Sequence, residues 1–201
     1  MRNRTSSDSP APPMLSSLPN ALTVARIAVV PIIVATVFIP GPEARWVAAG
    51  LFAVAAVTDY LDGWLARALK VESDVGRALD PIADKLLVAA VLLMLAGVDR
   101  LSDLGVVAAV IILAREILVS GLREALAGHS VVMPVTRLAK WKTASQLVAL
   151  PLLLVGDAAY VIGLSLQWPG ELLLWIAAGL TARTGYDYLL QALAHLRKDS
   201  S

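Results

Sequence analysis

TDYLDGWLARALKVESDVGRALDPIADK, residues 58–85, lies between two long apolar runs and sets four of its five aspartates, Asp59, Asp62, Asp80 and Asp84, at fixed intervals. Asp59 and Asp62 are three positions apart, and Asp80 and Asp84 are four apart. On helices, either spacing puts both members of a pair on one face. Between the pairs stand Gly63, Ala66, Arg67 and Gly76, three small residues and one fixed cation. Four carboxylates gathered at one membrane depth repel one another strongly, so the stretch calls for cations.

The flanking runs decide the fold class. Of 201 residues, 58% are hydrophobic and only 16% charged, the composition of an all-α integral membrane protein. Six spans are expected, at about 21–39, 46–69, 77–98, 104–127, 137–155 and 171–190. Residues 1–14, rich in Ser and Pro, read as a disordered tail, 15–196 as one six-helix transmembrane domain, and 197–201 as a C-terminal tail. Residues 15–18 suit the membrane surface ahead of the first span. A cleaved signal peptide is disfavoured there, because the apolar run is too long and Arg26 interrupts it. The third helix is expected to start near Arg77, which puts Pro81 in its first turn, where a missing N–H costs little. Residues 157–170 read either as an extension of the fifth span or as a loop.

Charge distribution sets the orientation. Six spans return both termini to one side, and Arg67, Lys70, Arg77, Lys85, Arg123, Arg137, Lys140, Lys142, Arg197 and Lys198 all fall on the face that holds the aspartates. Only Arg45 and Arg100 lie in the opposite loops. The positive-inside rule makes the aspartate face cytoplasmic, in a cell's inner membrane. Trp46, Trp168 and Trp175 fit an interfacial aromatic belt, and His129 and His195 read as solvated. The net charge of +1 gives no ground for a nucleic-acid partner, and the absence of cysteine excludes disulfides, thiolate metal sites and a cysteine nucleophile.

Hard divalent cations such as Mg²⁺ or Mn²⁺ take carboxylate oxygens, usually together with substrate phosphates. Four aspartates suffice for two such ions, an arrangement that clamps an in-line phosphoryl displacement. One carboxylate can also act as general base on an attacking hydroxyl. The small residues let a ligand approach the backbone, and Arg67 can pair with a phosphate or an aspartate. Simple salt pairing of the aspartates with Arg67, Arg77 and Lys85 explains charge at a helix–loop junction. It does not demand four carboxylates at helical spacings with small residues between. A cation-coupled transporter would place its carboxylates near the midplane on broken helices, not towards one face.

The pattern Asp59-x2-Asp62-Gly63-x2-Ala66-Arg67-x8-Gly76-x3-Asp80-x3-Asp84 resembles the full signature of the CDP-alcohol phosphotransferases, with eight positions matching in type and spacing. The resemblance implies a six-helix membrane fold, a homodimer, and a site where a CDP-linked lipid, CDP-diacylglycerol, meets an alcohol acceptor. It further implies that Asp59, Asp62, Asp80 and Asp84 hold two metal ions and that Asp84 is also the base. Gly63, Ala66, Arg67 and Gly76 would shape the CDP pocket, with Asp62 and Asp80 near the nucleotide. Asn20 reads either as a nucleotide contact or as a helix-terminal polar residue.

Other polar spots bear on the acceptor. Asn20-x-Leu22-Thr23-x2-Arg26, AREILVSGLRE at 114–124 and KWKT at 140–143 resemble the branch of the family whose acceptor is glycerol 3-phosphate, a dianion. Arg115, Arg123, Lys140 and Lys142 are suitable cations for its phosphate. Ala139 departs from that pattern, in which Gly is expected before the Lys-x-Lys-Thr run. Sibling acceptors are inositol phosphate, serine and phosphatidylglycerol.

Overall fold

A computed structural model describes residues 13–69, 74–127, 137–161 and 164–199, with side chains described at 23–59, 61, 82–83, 85–123, 137–159 and 165–192. Six long helices account for nearly all of it: α1 Pro13–Ala35, α2 Pro42–Leu69, α3 Asp74–Gly97, α4 Asp103–Ala127, α5 Arg137–Val155 and α6 Gln167–Asp199. The protein is therefore all-helical apart from short 3-10 turns and a two-stranded antiparallel hairpin, in which Tyr160 pairs with Ser165 and Val161 with Leu164.

Local chemistry explains most of the boundaries. Pro40-Gly41-Pro42 ends the first helical run, Gly41 taking φ +111° and Pro42 opening α2, where a proline forfeits no helical hydrogen bond. Asp99, at φ 54°, caps α3 while Arg100 N–H donates to the Leu95 carbonyl at 2.9 Å. Ser102 Oγ accepts from Gly105 N–H at 3.0 Å and so caps α4.

Three boundary expectations are corrected. The third helix starts at Asp74 rather than Arg77. Pro81 is then the eighth helical residue, where it forfeits the bond to the Arg77 carbonyl instead of sitting free in the first turn. An acidic residue favours a helix N-terminus, so the polarity that suggested a connection through Gly76 opens the helix instead. Likewise α1 starts at Pro13, so residues 15–18 are its first turns and Asn20 is interior, not terminal. Residues 157–170 are neither span nor plain loop: they comprise a 3-10 turn at Gly156–Ala158, the hairpin, and the first turn of α6.

α6 packs along α4 and α5, α1 along α2 and α3, and α2 also meets α5. Ile33, Phe52, Leu92, Leu95, Ile112, Leu150, Leu153 and Leu174 are fully or almost fully buried at the centre. A Cβ at Gly170 would lie 2.9 Å from Leu153 Cγ, so a glycine is what lets α6 approach α5 this closely. At the end remote from the aspartates, Ser102 donates through N–H and Oγ to Glu171 at 2.7 and 2.6 Å, and Arg45 pairs with Asp157. Those contacts tie the start of α6 to the turn before α4, and α2 to the 3-10 turn after α5. Burial, and after it the neighbouring Arg45, lowers the pKa of Arg100 in the turn before α4.

Apolar side chains fill the outer surface as well as the centre, and several polar ones are buried. Ile32, Val54, Val57, Leu93, Val110, Ile117 and Val148 face outward, whereas Arg26, Lys142, Gln146, Thr181 and Thr184 are buried. Among the described residues, Asp103–Arg123 is the segment long and apolar enough by itself to cross a membrane, and Thr23–Phe38 and Lys85–Gly97 are shorter apolar stretches.

Candidate active site

The two aspartate pairs lie on the facing ends of consecutive helices. Asp59 and Asp62 are in the last three turns of α2, with Gly63, Ala66 and Arg67 following on the same helix. Asp80 and Asp84 are in the first three turns of α3, preceded by Gly76. The connection at 70–73 is outside the described residues, as are the side chains of Asn20, Asp62, Ala66, Arg67, Asp80 and Asp84. The helical backbone holds each pair at the spacing that sets both positions on one face.

Asp59 is described in full, and it pairs with Arg26 from α1. Arg26 keeps 4% of its side chain exposed and Asp59 keeps 32%. A guanidinium that deep is costly without a counter-ion, so Asp59 serves as one here. Its own exposure leaves room for a further ligand. The donor set of Asp59, Asp62, Asp80 and Asp84 offers only carboxylate oxygens, which suits a hard divalent ion. Arg26 stood in the sequence beside Asn20 and Thr23, but nothing in that pattern indicated its partner.

A second polar group is built by α4, α5 and α6. Lys142, 7% exposed, pairs with Glu116, whose carboxylate also lies 3.5 Å from Arg115 Nη1. Arg115 Nη2 donates to Thr184 Oγ1 at 3.0 Å, and Arg123 Nη2 donates to the Tyr188 hydroxyl at 2.8 Å. The Tyr188 ring lies 5.6 Å from the Arg115 guanidinium and 5.0 Å from that of Arg123. Lys142 lies in the second turn of α5, which packs against both aspartate helices, α2 and α3.

Of the four expected phosphate cations, Arg115, Arg123 and Lys142 belong to this group. Lys142 is buried in it and Arg115 partly buried. Lys140 is exposed instead, one residue before an exposed Trp141. Ala139 sits within helical backbone, where its Cβ is easily accommodated, and its carbonyl accepts from Thr143 Oγ1 at 3.1 Å. Glu116, Gln146, Thr184, Gly185 and Tyr188 were not singled out from the sequence. The signal available was the polar cluster TARTGYDY at 181–188 within an otherwise apolar sixth helix.

Paired aspartates at adjoining helix ends, with a partly buried basic group on α4, α5 and α6, define a class: an all-helical protein whose charged residues gather within its bundle. Comparison with known proteins agrees with it. The sequence profile of the CDP-alcohol phosphatidyltransferase family matches residues 16–183, and the chain belongs to that family. A Rickettsia bellii protein named CDP-diacylglycerol–glycerol-3-phosphate 3-phosphatidyltransferase is 49% identical over 86% of this chain and 93% of its own length. A protein of the same name from Cereibacter sphaeroides is 37% identical over 91% of this chain and 98% of its own. A CMP-forming cardiolipin synthase from Oryza sativa is 40% identical over 85% of this chain and 56% of its own.

Proposed function

We propose that the protein transfers the phosphatidyl group of CDP-diacylglycerol to a hydroxyl of sn-glycerol 3-phosphate, giving phosphatidylglycerophosphate and CMP in phospholipid synthesis. The observation that carries this reading is the packing of α5, which holds Lys142 beside Glu116 and Arg115, against both aspartate helices, α2 and α3. Neighbouring helices thus offer carboxylates for the reacting phosphate and cations for a second, dianionic one.

In this reading the acceptor hydroxyl loses its proton to the Asp84 carboxylate as its oxygen attacks the lipid-bearing phosphate. The bond from that phosphate to the CMP oxygen breaks, and CMP leaves with the electron pair. Asn20, Gly63, Ala66, Arg67 and Gly76 hold the nucleotide, together with Asp62 and Asp80. Arg115, Arg123, Lys140 and Lys142 hold the acceptor phosphate and so fix its hydroxyl. Asp59, Asp62, Asp80 and Asp84 would hold two divalent cations, Mg²⁺ or Mn²⁺, which would neutralise charge on the phosphates. A homodimer, implied by the family, belongs to the same proposal.

The relatives' names and the described cations favour glycerol 3-phosphate. The cardiolipin synthase likeness favours a second reading, with phosphatidylglycerol as acceptor. A panel of glycerol 3-phosphate, phosphatidylglycerol, inositol phosphate and serine, scored by CMP release, separates them. Lys142→Ala and Arg123→Ala are expected to raise the KM for glycerol 3-phosphate about tenfold or more, the value of one charge-assisted phosphate contact. The donor's KM should barely change. Raised donor KM with an unchanged acceptor KM would move the basic group to the donor site.

We also infer six membrane spans with the site facing the cytoplasm of the inner membrane. The shortest helix, α5 with 19 residues, is about 28 Å long, close to the ~30 Å hydrocarbon core. The outward apolar and buried polar side chains support that placement. Cysteines introduced singly as Pro42→Cys and Ser73→Cys test the orientation, since the chain has none of its own. In intact cells an impermeant thiol reagent is expected to label position 42 and spare position 73. The reverse pattern would invert the topology.

A further inference from the structure

We propose that Thr184, Gly185 and Tyr188 of α6 form a cradle that sets the positions of Arg115 and Arg123, and so determines how tightly the acceptor's phosphate is held. The inference rests on the glycerol 3-phosphate reading and assigns a third helix to that site.

Each contact has a separate physical basis. Thr184 is 1% exposed and lies between two partners: its Oγ1 donates to the Thr181 carbonyl at 3.1 Å and accepts from Arg115 Nη2 at 3.0 Å. That leaves the guanidinium one fixed direction. Gly185 clears the space beside it, since a Cβ there would come within 2.7 Å of Arg115 Cγ. Cγ is near the root of the side chain, so the arginine cannot swing clear by moving only its tip. Tyr188 is 2% exposed and serves both arginines, its hydroxyl accepting from Arg123 and its ring lying against both guanidinium groups. Residues 184, 185 and 188 fall on one side of α6, the side turned to α4.

Two cations held side by side repel each other, which is wasteful unless an anion sits between them. Glu116 provides part of that charge in the structure, engaging Arg115 and Lys142. Holding both guanidinium groups in place spares the cost of ordering two long side chains at the moment an anion binds.

The test is steady-state kinetics on Tyr188→Phe, Gly185→Ala, Thr184→Val and Thr184→Ser in the full-length membrane protein, with glycerol 3-phosphate and CDP-diacylglycerol varied in turn. Tyr188→Phe keeps the ring and removes one acceptor. It is expected to raise the glycerol 3-phosphate KM about three- to tenfold, with kcat and the donor KM within twofold. Thr184→Val should behave likewise, and Thr184→Ser, which restores the hydroxyl, should return to the wild-type value. Gly185→Ala should have the largest effect on the acceptor KM. If it fails to fold, Tyr188→Phe and the threonine pair decide the matter. Unchanged acceptor KM in those variants, or equal shifts for both substrates, would overturn the cradle while leaving the function intact. A wild type inactive with glycerol 3-phosphate would overturn both.

Discussion

Asp84→Asn is expected to lower turnover by at least about 100-fold, the usual loss when a general base is removed. Asparagine keeps the size of the side chain and can still offer one oxygen, so the pocket is little altered in shape. It accepts no proton from the attacking hydroxyl and carries no charge. CDP-diacylglycerol binding should remain largely intact, because the nucleotide contacts are assigned to other residues of the stretch. The measurement is single-turnover CMP release beside equilibrium binding of the donor. Near-wild-type turnover would remove Asp84 as base, and loss of donor binding at unchanged turnover per bound complex would make it a donor contact. Asp59 is a poorer probe of the chemistry. Its substitution also strips the counter-ion from Arg26, which is buried, and an unpaired buried charge is costly in its own right.

The six helices were legible because long apolar runs separated by polar or Pro/Gly-containing turns suit helices better than strands. It also contained the aspartate pairs, since a spacing of three or four becomes a shared face as soon as the segment is helical, and both segments are. Boundaries were less legible. A polar stretch such as Asp74–Gly76 reads as a connection, yet it serves equally well as the opening turn of a helix. The hairpin at 160–165 was hidden for a different reason: it has only two residues in each strand, too few for an alternating pattern to register. The partners of the basic residues were invisible because they come from distant parts of the chain. Arg115 finds Thr184 and Arg123 finds Tyr188 across 69 and 65 positions. Only packing of α6 on α4 brings them together.

Removing divalent metal with EDTA is expected to abolish CMP release, and adding Mg²⁺ or Mn²⁺ to restore it. Six carboxylates stand in the stretch from 59 to 84, four of them the paired aspartates, and the described structure supplies Asp59 with a cation, Arg26, from α1. The donor brings a negatively charged diphosphate bridge to the same stretch. One carboxylate about 5 Å from one phosphate charge costs roughly 3 kcal/mol at an effective dielectric constant of about 20. That alone is a factor of more than about 100, and several such pairs act together. Residues 58–85 carry Arg67, Lys70, Arg77 and Lys85 against six carboxylates, so the stretch keeps an excess of negative charge before the donor arrives. The basic group on α4 and α5 is assigned to the acceptor's phosphate and is shared with Glu116. Circular dichroism on the chelated protein should show the helices intact, since the core of α1–α6 is held by apolar packing rather than by the aspartates. Full activity in protein shown by elemental analysis to be metal-free would remove the two-ion reading. Loss of helicity on chelation would make the metal a structural element instead.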